Sequence, residues 1–384
     1  MSGTPHPDGR RPAGPEARID LQALRGNVEV LQRSAGSAAI MAVVKANAYG
    51  HGLVPCALAA QSAGANWLGT ATPREALALR RAAVGGRILC WLWTPDGPFS
   101  EAVSADIDIS VSGRWALDKV CEAAAGLGRS ARVHLKADTG LGRNGCTPAD
   151  WTSLLSAAMA AQKDGLLNVV GVWSHLACAD EPTHPSIDAQ VEAFRHAVAA
   201  AERFGADLEV RHLANSAATL LLPETRFDLV RTGLSLFGLS PAPEHGTSAS
   251  FGLRPVMTLV APLASVKRVP AGHGVSYGHD YRTATETSLG LVPVGFGAGI
   301  PRHASGAASV AVAGRRYRAV GRIAMDQFVI DLGDSAATVG DEVVLFGPGE
   351  RGEPTAEDWA RAAGTIAYEI VTRIASDVPR VYLP

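Results

Sequence analysis

The chain has 384 residues, of which 47% are hydrophobic, so it can bury a large core and its length favours two domains rather than one. Charged residues make up 19% and the formal net charge is −2, which gives no sign of a surface for nucleic acid or for an anionic membrane. No apolar run has the length of a membrane span, and the five cysteines are scattered without metal-site spacing. These features indicate a cytoplasmic enzyme with reduced thiols, and neither a nucleic-acid nor a membrane partner.

The N-terminal segment differs in composition from the rest of the chain. Residues 1–17 are rich in proline and glycine, carry arginines and contain no apolar segment. Such a stretch cannot bury enough surface to fold, and it lacks the apolar core of a signal peptide. We therefore predict a disordered tail over residues 1–17.

Residues 18–250 alternate short apolar runs with alanine- and leucine-rich helical stretches. A strand followed by a helix, repeated eight times, is typical of an α/β protein with a (β/α)8 barrel of the TIM type. We therefore predict such a barrel over residues 18–250. Its strands are expected in the runs IMAVVK (40–45), NWLGT (66–70), RILCWLW (87–93), DIDISVS (106–112), RVHLKAD (132–138), VVGVWSH (169–175), EVRHLAN (209–215) and FDLVR (227–231).

After residue 250 the long helical stretches disappear. Apolar runs such as ETSLGLVPVGF, QFVIDLG and DEVVLFG are separated only by turn residues, as in a compact β domain. One helix is expected after Thr355, a capping residue followed by Glu357 and Asp358 in the first turn. The sequence thus predicts a mainly-β C-terminal domain over residues 251–384.

Chemically active side chains stand at or just past the ends of several predicted barrel strands. In a (β/α)8 barrel the active site collects at the C-terminal ends of the strands and uses several strands at once. A single polar residue there is more often a solvated strand end, but five strands with the same feature indicate a site. The residues are Lys45, Lys136 with Asp138, His175, Asn215 and Arg231.

Lys45 ends a run that is otherwise built for burial. Burial disfavours the ammonium form, so the amine becomes nucleophilic near neutral pH and suits a Schiff base with an aldehyde cofactor such as pyridoxal 5'-phosphate. The phosphate of that cofactor needs N–H donors. Two segments that follow strands offer them, with Ser216 and Gly233 placed for such a nest.

The segment VVKANAYGHG around Lys45 resembles the pyridoxal-phosphate attachment segment of alanine racemases. Other segments follow in the order of that family, and the resemblance covers residues 18–384. They are HLKADTGLGRNG, GVWSHLACADE, RHLANSAA, FDLVRTGLSLFG, GHGVSYGHDYR, GRIAMDQFVIDL and TIAYEIVTRI. The resemblance implies an isomerase that interconverts L- and D-alanine and supplies D-alanine for the cell wall.

The resemblance also implies which residues bind the cofactor. Lys45 would form the Schiff base and move the proton on one face of the substrate Cα. Arg231 would meet the pyridine nitrogen, and His175 would stand near the ring. The phosphate and the remaining cofactor contacts would come from Tyr49, Asn215, Ser216, Gly233, Leu234 and Tyr368.

A further set of residues is implied for the substrate. Tyr277 would be the acid/base on the opposite face of Cα, and in this family it reaches the pocket of the partner subunit together with Met325 and Asp326. Those two residues and Arg143 would contact the substrate carboxylate. Lys136 resembles a position that is often carbamylated in the family. The implied assembly is a homodimer with composite active sites.

Physical reasoning favours these roles. Racemisation needs a base on each face of a planar carbanion, and Lys45 with Tyr277 is the pair we can propose. A cation such as Arg231 beside the pyridine nitrogen disfavours a second positive charge there, so the nitrogen stays unprotonated. The cofactor is then a weaker electron sink, which favours reprotonation at Cα over transamination. A neighbouring cation such as Arg143 would also lower the pKa of Tyr277 enough for it to act as a base.

Other interpretations of the same residues are weaker. His273 and His279 stand close in sequence, but no further ligand has suitable spacing, so no metal site is expected. The glycine pattern at 295–301 leads into another β segment rather than a helix, which disfavours a dinucleotide site. Lys136 could instead be only an internal ion-pair partner of Asp138.

Three departures from the family pattern leave alternatives open. Residues 295–299 are GFGAG where alanine racemases usually have GYADG, Asp377 stands where an arginine is usual, and Phe237 replaces a common tyrosine. A less polar entrance could admit another small amino acid, or suit a decarboxylase or an aldolase of the same fold. A weakly catalytic cofactor-binding protein is a third possibility, although such a protein would have no use for Tyr277.

Overall fold

The computed structural model describes residues 12–384, which form two compact units. The barrel unit comprises residues 25–48 and 53–253. The β unit comprises residues 12–24, the short segment 49–52 and residues 254–384. The chain therefore leaves the barrel unit for the four residues 49–52, shortly after the first barrel strand, and then returns to it.

Eight parallel strands form the sheet of the barrel unit, in the spatial order β8-β7-β6-β5-β4-β3-β2-β9. After β1 (Glu16–Asp20), which lies in the β unit, these strands are β2 (Ala39–Val43), β3 (Trp67–Thr70), β4 (Arg87–Cys90), β5 (Asp108–Val111), β6 (Ala131–Lys136), β7 (Leu167–Trp173), β8 (Val210–His212) and β9 (Leu229–Thr232). All eight lie within or beside the runs predicted from the sequence. The prediction of a (β/α)8 barrel is confirmed.

Two backbone hydrogen bonds nearly close this barrel between its end strands β8 and β9. Asp228 N–H donates to the Arg211 carbonyl at 3.1 Å, and Arg231 N–H donates to the Ala214 carbonyl at 3.0 Å. Buried apolar side chains on the strands form the core, in keeping with parallel strands covered on both faces. The C-terminal ends of β2, β6, β7, β8 and β9 consequently meet at one mouth of the barrel.

Helices connect the strands of the barrel. Most contain the alanine- and leucine-rich stretches seen in the sequence, and two of them begin after a capping threonine, Thr72 and Thr147. The helices before residue 250 are Leu21–Ala35, Leu53–Ser62, Pro73–Arg81, Phe99–Ser104, Arg114–Leu127, Pro148–Lys163, Ser186–Arg203 and Ser216–Leu221.

The β unit contains a nine-stranded sheet in the order β11-β14-β17-β16-β15-β18-β10-β1-β19 and a separate hairpin of β12 and β13. All its pairings are antiparallel except that of β1 with β19. This confirms the prediction of a mainly-β C-terminal domain. Its strands after β1 are β10 (Met257–Pro262), β11 (Ser265–Val269), β12 (Gly274–Val275), β13 (Tyr281–Arg282), β14 (Thr287–Val292), β15 (Ser309–Val312), β16 (Arg315–Val320), β17 (Phe328–Gly333), β18 (Glu342–Phe346) and β19 (Arg380–Leu383).

Strand β1 differs from the sequence prediction. A tail was expected over residues 1–17 and the barrel from residue 18, yet Glu16–Asp20 is a strand of the β-unit sheet, between β10 and β19. Arg18 is buried there and pairs with Glu16 at 2.9 Å and with Glu342 at 2.7 Å. Its long-range partners cannot be identified from the local sequence. Residues 1–11, which make up most of the predicted tail, lie outside the described residues.

The helix predicted after Thr355 is observed as Ala356–Ala363. Thr355 Oγ1 accepts a hydrogen bond from Asp358 N–H, and Asp358 Oδ2 accepts one from Thr355 N–H, which completes a capping box. A second short helix, Ala367–Thr372, follows it. In residues 12–384, no helix combines the length and the apolar character needed to cross a membrane.

Candidate active site

Lys45 is followed by a left-handed turn. Ala46, Asn47, Ala48 and Tyr49 all have φ between 52° and 54°, a region that L-residues avoid at about 1–2 kcal/mol each. Two side-chain hydrogen bonds hold the turn: Glu75 Oε1 accepts from Ala46 N–H at 2.6 Å, and Asn47 Oδ1, within the turn, accepts from Leu53 N–H at 2.9 Å. Strain of this kind persists only where surrounding contacts impose it, and it is concentrated at functional sites.

The amine of Lys45 lies two residues past the end of β2 and is half-buried. Burial lowers its pKa, and the cations Arg143 and Arg231 lower it further, while Glu75 opposes them. The nearby Glu75 also caps the helix Pro73–Arg81, so its carboxylate is held in place by backbone N–H groups. The site thus contains a lysine amine that loses its proton more readily than an exposed lysine does.

Arg231, on β9, is buried and held by five hydrogen bonds. Nη1 donates to the carbonyl of His212 at 2.9 Å and to its Nδ1 at 3.2 Å. Nη2 donates to the carbonyls of Ser174 at 2.7 Å and Leu213 at 3.0 Å and to His175 Nδ1 at 3.2 Å. The Nε–H has no protein acceptor among the described residues. Burial lowers the pKa of Arg231 to about 9, so the side chain remains a cation at neutral pH.

His175 stands beside this guanidinium, two residues past β7. Burial, followed by the charges of Arg231 and Arg143, lowers the pKa of His175 well below its ordinary value. Since Arg231 can only donate, His175 accepts at Nδ1 and carries its proton on Nε2. A neutral imidazole with one N–H directed away from Arg231 is the result.

Lys136, at the end of β6, is only 4% exposed. Its Nζ lies 4.4 Å from the ring centre of Trp173, and the guanidinium carbon of Arg231 lies 4.8 Å from the same ring. Burial and the charges of Arg231 and Arg143 together lower the pKa of Lys136 to about 8, while Asp138 opposes them. Within residues 12–384 no salt bridge joins Lys136 to Asp138, although the Asp138 charge acts on Lys136. The alternative that Lys136 is only an ion-pair partner of Asp138 stays a prediction.

The Asp138 carboxylate instead shapes the loop that carries Arg143. Its Oδ1 accepts from Gly140 N–H at 3.0 Å and from Gly142 N–H at 3.2 Å. The loop is closed at its base by Asp138 N–H to the Cys146 carbonyl at 2.9 Å, and a Cβ on Gly145 would crowd the Asp138 backbone at 2.6 Å. Arg143 is thereby presented at the surface of a tightly constrained loop.

The segments after β8 and β9 meet at Ser216. The Ser216 hydroxyl is buried and accepts from Gly233 N–H at 2.8 Å and Ser235 N–H at 3.4 Å. Asn215 caps the short helix Ser216–Leu221, and its side chain accepts from Ala218 N–H at 3.0 Å. The Ser235 hydroxyl is buried and has no hydrogen-bond partner among the described residues. The predicted phosphate residues Ser216, Gly233 and Leu234 are therefore neighbours in the barrel unit.

The other predicted site residues belong to the β unit. Tyr49, which ends the left-handed turn, and Tyr368 lie with their ring centres 6.2 Å apart. Burial raises the pKa of Tyr49 far above its ordinary value, and Tyr368 raises it further, so Tyr49 stays a neutral phenol. A neutral phenol can donate a hydrogen bond to an anion.

Tyr277 stands on a tight turn after the short strand β12. Ser276 Oγ donates to the Arg322 carbonyl at 2.6 Å, and Arg322 pairs with Asp280. These contacts fix the turn from both sides, yet the Tyr277 side chain is 71% exposed. A large aromatic side chain held outward on a braced turn is suited to a partner's surface.

Met325 and Asp326 are also exposed, on the loop that precedes β17. Met325 is 58% exposed, and its carbonyl accepts from Gly297 N–H at 2.8 Å. A Cβ at Gly297 would lie 3.2 Å from that carbonyl oxygen and 3.4 Å from Met325 Cγ. The segment that departs from the family pattern therefore packs against Met325.

Several residues of this site were missed by the sequence predictions. Glu75 could have been found, because TPRE is a capping box directly after a strand. His212 and Trp173 lay inside predicted strands, but their contacts with Arg231 depend on neighbouring strands far apart in sequence. No local pattern indicates such contacts.

Comparisons with known proteins identify the family. Residues 19–241 match the model of the alanine racemase N-terminal domain, and residues 256–382 match that of the alanine racemase C-terminal domain. An alanine racemase of Streptomyces coelicolor is 64% identical over 96% of this chain and 95% of its own length.

Solved structures give the same result. The crystal structure of alanine racemase from D-cycloserine producing Streptomyces lavendulae has a TM-score of 0.96 and 66% identity, covering 98% of each chain. An alanine racemase of Clostridium difficile 630 is 32% identical, with a TM-score of 0.89 and 97% of each chain covered. The fold, the lysine two residues past the first barrel strand and these relatives together define an isomerase of the amino-acid racemase class. The chain belongs to the alanine racemase family.

Proposed function

We propose that this protein interconverts L- and D-alanine with pyridoxal 5'-phosphate, using Lys45 and Tyr277 of the partner subunit as the two bases. The observation that carries the proposal is the Lys45 amine, with its lowered pKa, beside the cations Arg143 and Arg231 in a chain of this family. The product D-alanine would serve cell-wall synthesis in the cytoplasm.

The residues of the barrel unit fit this cofactor. A half-buried amine suits its aldehyde, and the cluster of Ser216, Gly233 and Leu234 suits its phosphate, with the unpartnered Ser235 hydroxyl as a further donor. We propose that Asn215 and His175 also line the cofactor site, and that Tyr49 and Tyr368 add phenol hydroxyls to the phosphate. When bound, the cofactor supplies a conjugated ring that delocalises the negative charge left after loss of the Cα proton.

Arg231 would meet the pyridine nitrogen of the bound cofactor and oppose its protonation. The N–H groups on Nη1 and Nη2 are directed to protein acceptors, which leaves the Nε–H available for that nitrogen. A guanidinium is a donor and cannot accept a proton from a pyridinium at neutral pH, so its charge opposes protonation of the ring. Arg231 would thereby limit charge delocalisation into the ring and favour return of the proton to Cα.

Lys45 and Tyr277 exchange protons with opposite faces of Cα. Arg143 orients the substrate carboxylate and Met325 and Asp326 complete its pocket from the partner subunit. The exposed side chains of Tyr277 and Met325 support this arrangement, because an isolated subunit would leave both large apolar side chains in water without a stabilising contact. The active unit is then a homodimer with composite active sites.

Lys136 is proposed to react with CO2 to form a carbamate. Its pKa of about 8 leaves a fraction of the amine neutral at pH 7, which is the form that attacks CO2; an N–C bond forms and one proton is released. The carbamate anion would then be stabilised by Arg231 and Arg143, and it would orient the guanidinium of Arg143.

The pH dependence of stability tests the state of Lys136. Its pKa falls from 10.5 in the unfolded chain to about 8 in the folded protein, so the unfolded chain binds more protons between those values. In CO2-free buffer the free energy of unfolding should therefore rise from pH 8 to 10.5, by about 3 kcal/mol from this residue. Lys136→Met should remove that part of the rise.

Chemical denaturation at several pH values measures this effect. Equal slopes in wild type and Lys136→Met would show that the ammonium is not destabilised by burial. In bicarbonate buffer, intact-mass measurement should find one added CO2 on the wild type and none on the variant.

An altered substrate range is the second candidate function. It is favoured by one observation, the packing of Gly297 against Met325, because the usual residue at position 297 is larger and would press on Met325. Another small amino acid could then be racemised by the same two bases.

The proposed function is tested with L-alanine in deuterated water. Cα deuterium and the L/D ratio are followed together by mass spectrometry and chiral chromatography. Deuterium should enter both enantiomers as the ratio moves towards one. Absence of exchange from a cofactor-loaded protein would contradict alanine as substrate, and the same assay with serine and other small amino acids would then identify the second candidate.

A further inference from the structure

A hydrogen-bonded polar network crosses the interior of the barrel from one end to the other. Asp108, His134 and His212 are all fully buried. His134 Nε2 lies 3.3 Å from Asp108 Oδ2, His134 Nδ1 lies 3.0 Å from His212 Nε2, and His212 Nδ1 lies 3.2 Å from Arg231 Nη1. Asp108 opens β5 at the N-terminal end of the barrel, whereas Arg231 lies at the opposite end, which holds the active site.

Arg231 sets the direction of every hydrogen bond in this polar network. A guanidinium has no acceptor, so His212 accepts at Nδ1 and must carry its proton on Nε2. That proton is donated to His134 Nδ1, which in turn places the His134 proton on Nε2, facing Asp108. A proton on His134 Nδ1 would leave two donors facing one another. Both imidazoles are therefore neutral, and burial with the charge of Arg231 lowers the pKa of His212 well below its ordinary value.

Asp108 is an anion at the end of the polar network opposite Arg231. Burial alone would raise its pKa, but hydrogen bonds from His134 and Arg132 hold the pKa below its ordinary value. Arg132 Nε donates to Asp108 Oδ1 at 3.0 Å, and its two terminal nitrogens bind both oxygens of Glu209 at 2.7 and 2.8 Å. Arg132 and Glu209 balance each other, so Asp108 remains as the counter-charge of Arg231.

Local geometry makes room for the two rings. The pairing of β6 with β7 shifts by one residue after Val133, which brings Gly171 opposite His134. A Cβ at position 171 would overlap the His134 imidazole. The His212 ring is stacked on Trp173, with ring centres 5.5 Å apart and planes 4° from parallel. The rings are thus held in one orientation by packing on two sides.

We propose that Asp108 is a positioning residue for Arg231, acting through the neutral imidazoles of His134 and His212. The inference rests on the proposed role of Arg231 at the pyridine nitrogen. Through the two polarised imidazoles, the negative charge of Asp108 stabilises the guanidinium cation at the opposite end of the barrel. They also fix Nη1, so that the guanidinium cannot rotate and its Nε–H keeps one direction.

Histidine-selective ¹⁵N NMR of the purified wild-type holoenzyme tests the proton directions. The variants His134→Asn and His212→Asn serve only to assign the two signals. Both rings should be neutral with the proton on Nε2, and their N–H protons should exchange slowly from pH 6 to 9. A proton on Nδ1 of either ring, or an imidazolium in that range, would overturn the inference.

Asp108→Asn tests the counter-charge. The Nε2–H resonance of His134 should move upfield, and kcat for racemisation should fall about tenfold, the equivalent of one pKa unit, with KM changed much less. Gly171→Ala, which displaces His134 and leaves Asp108 intact, should lower kcat similarly. Glu202→Gln is the matched control. It removes an ion pair with Arg211 on β8, which is not part of the polar network, and should leave kcat unchanged.

The outcomes separate this inference from the proposed function. Folded Asp108→Asn and Gly171→Ala proteins with wild-type kcat would overturn the inference while racemisation itself stands. A wild-type protein that does not racemise any amino acid would overturn the proposed function, whatever the imidazole signals show. If Asp108→Asn does not fold, the wild-type tautomers and Gly171→Ala decide the matter.

Discussion

Replacing Lys45 with alanine should reduce racemisation by at least the roughly 10²–10⁴-fold that a positioned acid/base contributes. The residue is proposed to hold the cofactor covalently and to move the proton on one face of Cα, so both functions are lost together. Its lowered pKa, caused by burial and the cations Arg143 and Arg231, is what suits the amine to these tasks. The L/D ratio measures the first effect, and intact mass after borohydride reduction measures covalent attachment of the cofactor.

Lys119→Ala is the matched control for this experiment. Lys119 lies on the helix Arg114–Leu127 and pairs with Glu122 at the surface of the same unit. Its removal should change neither the racemisation rate nor the reduced mass. Racemisation by Lys45→Ala at the wild-type rate would contradict the proposed mechanism and direct attention to another amine, of which buried Lys136 is the first to test.

Replacing Tyr277 with phenylalanine should separate the two faces of the reaction. Lys45 would still remove and return the proton on its own face, so deuterium should continue to enter one enantiomer. The opposite face would have no base, and racemisation should fall by roughly 10²–10⁴-fold. Chiral chromatography coupled to mass spectrometry reads both quantities in a single reaction in deuterated water.

Tyr281→Phe provides the comparison for Tyr277→Phe, four residues away. The Tyr281 hydroxyl donates to Asp331 Oδ2 at 2.6 Å inside the β unit, so its loss should lower stability by about 1–3 kcal/mol and leave racemisation intact. If Tyr277→Phe exchanged deuterium into both enantiomers at the wild-type rate, the two-base assignment to Tyr277 would be untenable. Sedimentation of both variants and of the wild type shows whether the proposed homodimer forms and is retained.

The barrel was predictable because its signal is local and repeated. Each strand is a short apolar run followed by a helical stretch, and every one of the eight predicted runs overlaps or adjoins an observed strand. The capped helix after Thr355 was predictable for the same reason, since a capping box involves only four residues. Strand β1 was not, because residues 16–20 become a strand only by pairing with β10 and β19, more than 200 residues away.

The candidate site divides in the same way. Lys45, Lys136 and Arg231 could be singled out because barrel geometry places strand ends at one mouth. The left-handed turn after Lys45 could not, since Ala46 and Ala48 have no preference for positive φ and are held there by Glu75 and Asn47. Asp108, His134 and His212 were also inaccessible to sequence reasoning, because three different strands supply them.

The sequence by itself determined the two-part architecture, the family and the residue types available for catalysis, because periodicity, capping and motif order are properties of short segments. Tertiary structure alone decided how those groups behave. The pKa of Lys136 is lowered to about 8 by burial, by Arg231 on a strand far away in sequence, and by Arg143 on the loop that follows β6. The donor directions of His134 and His212 follow from a guanidinium on another strand. Burial and electrostatic interaction depend on distance in space, and the folded chain sets that distance.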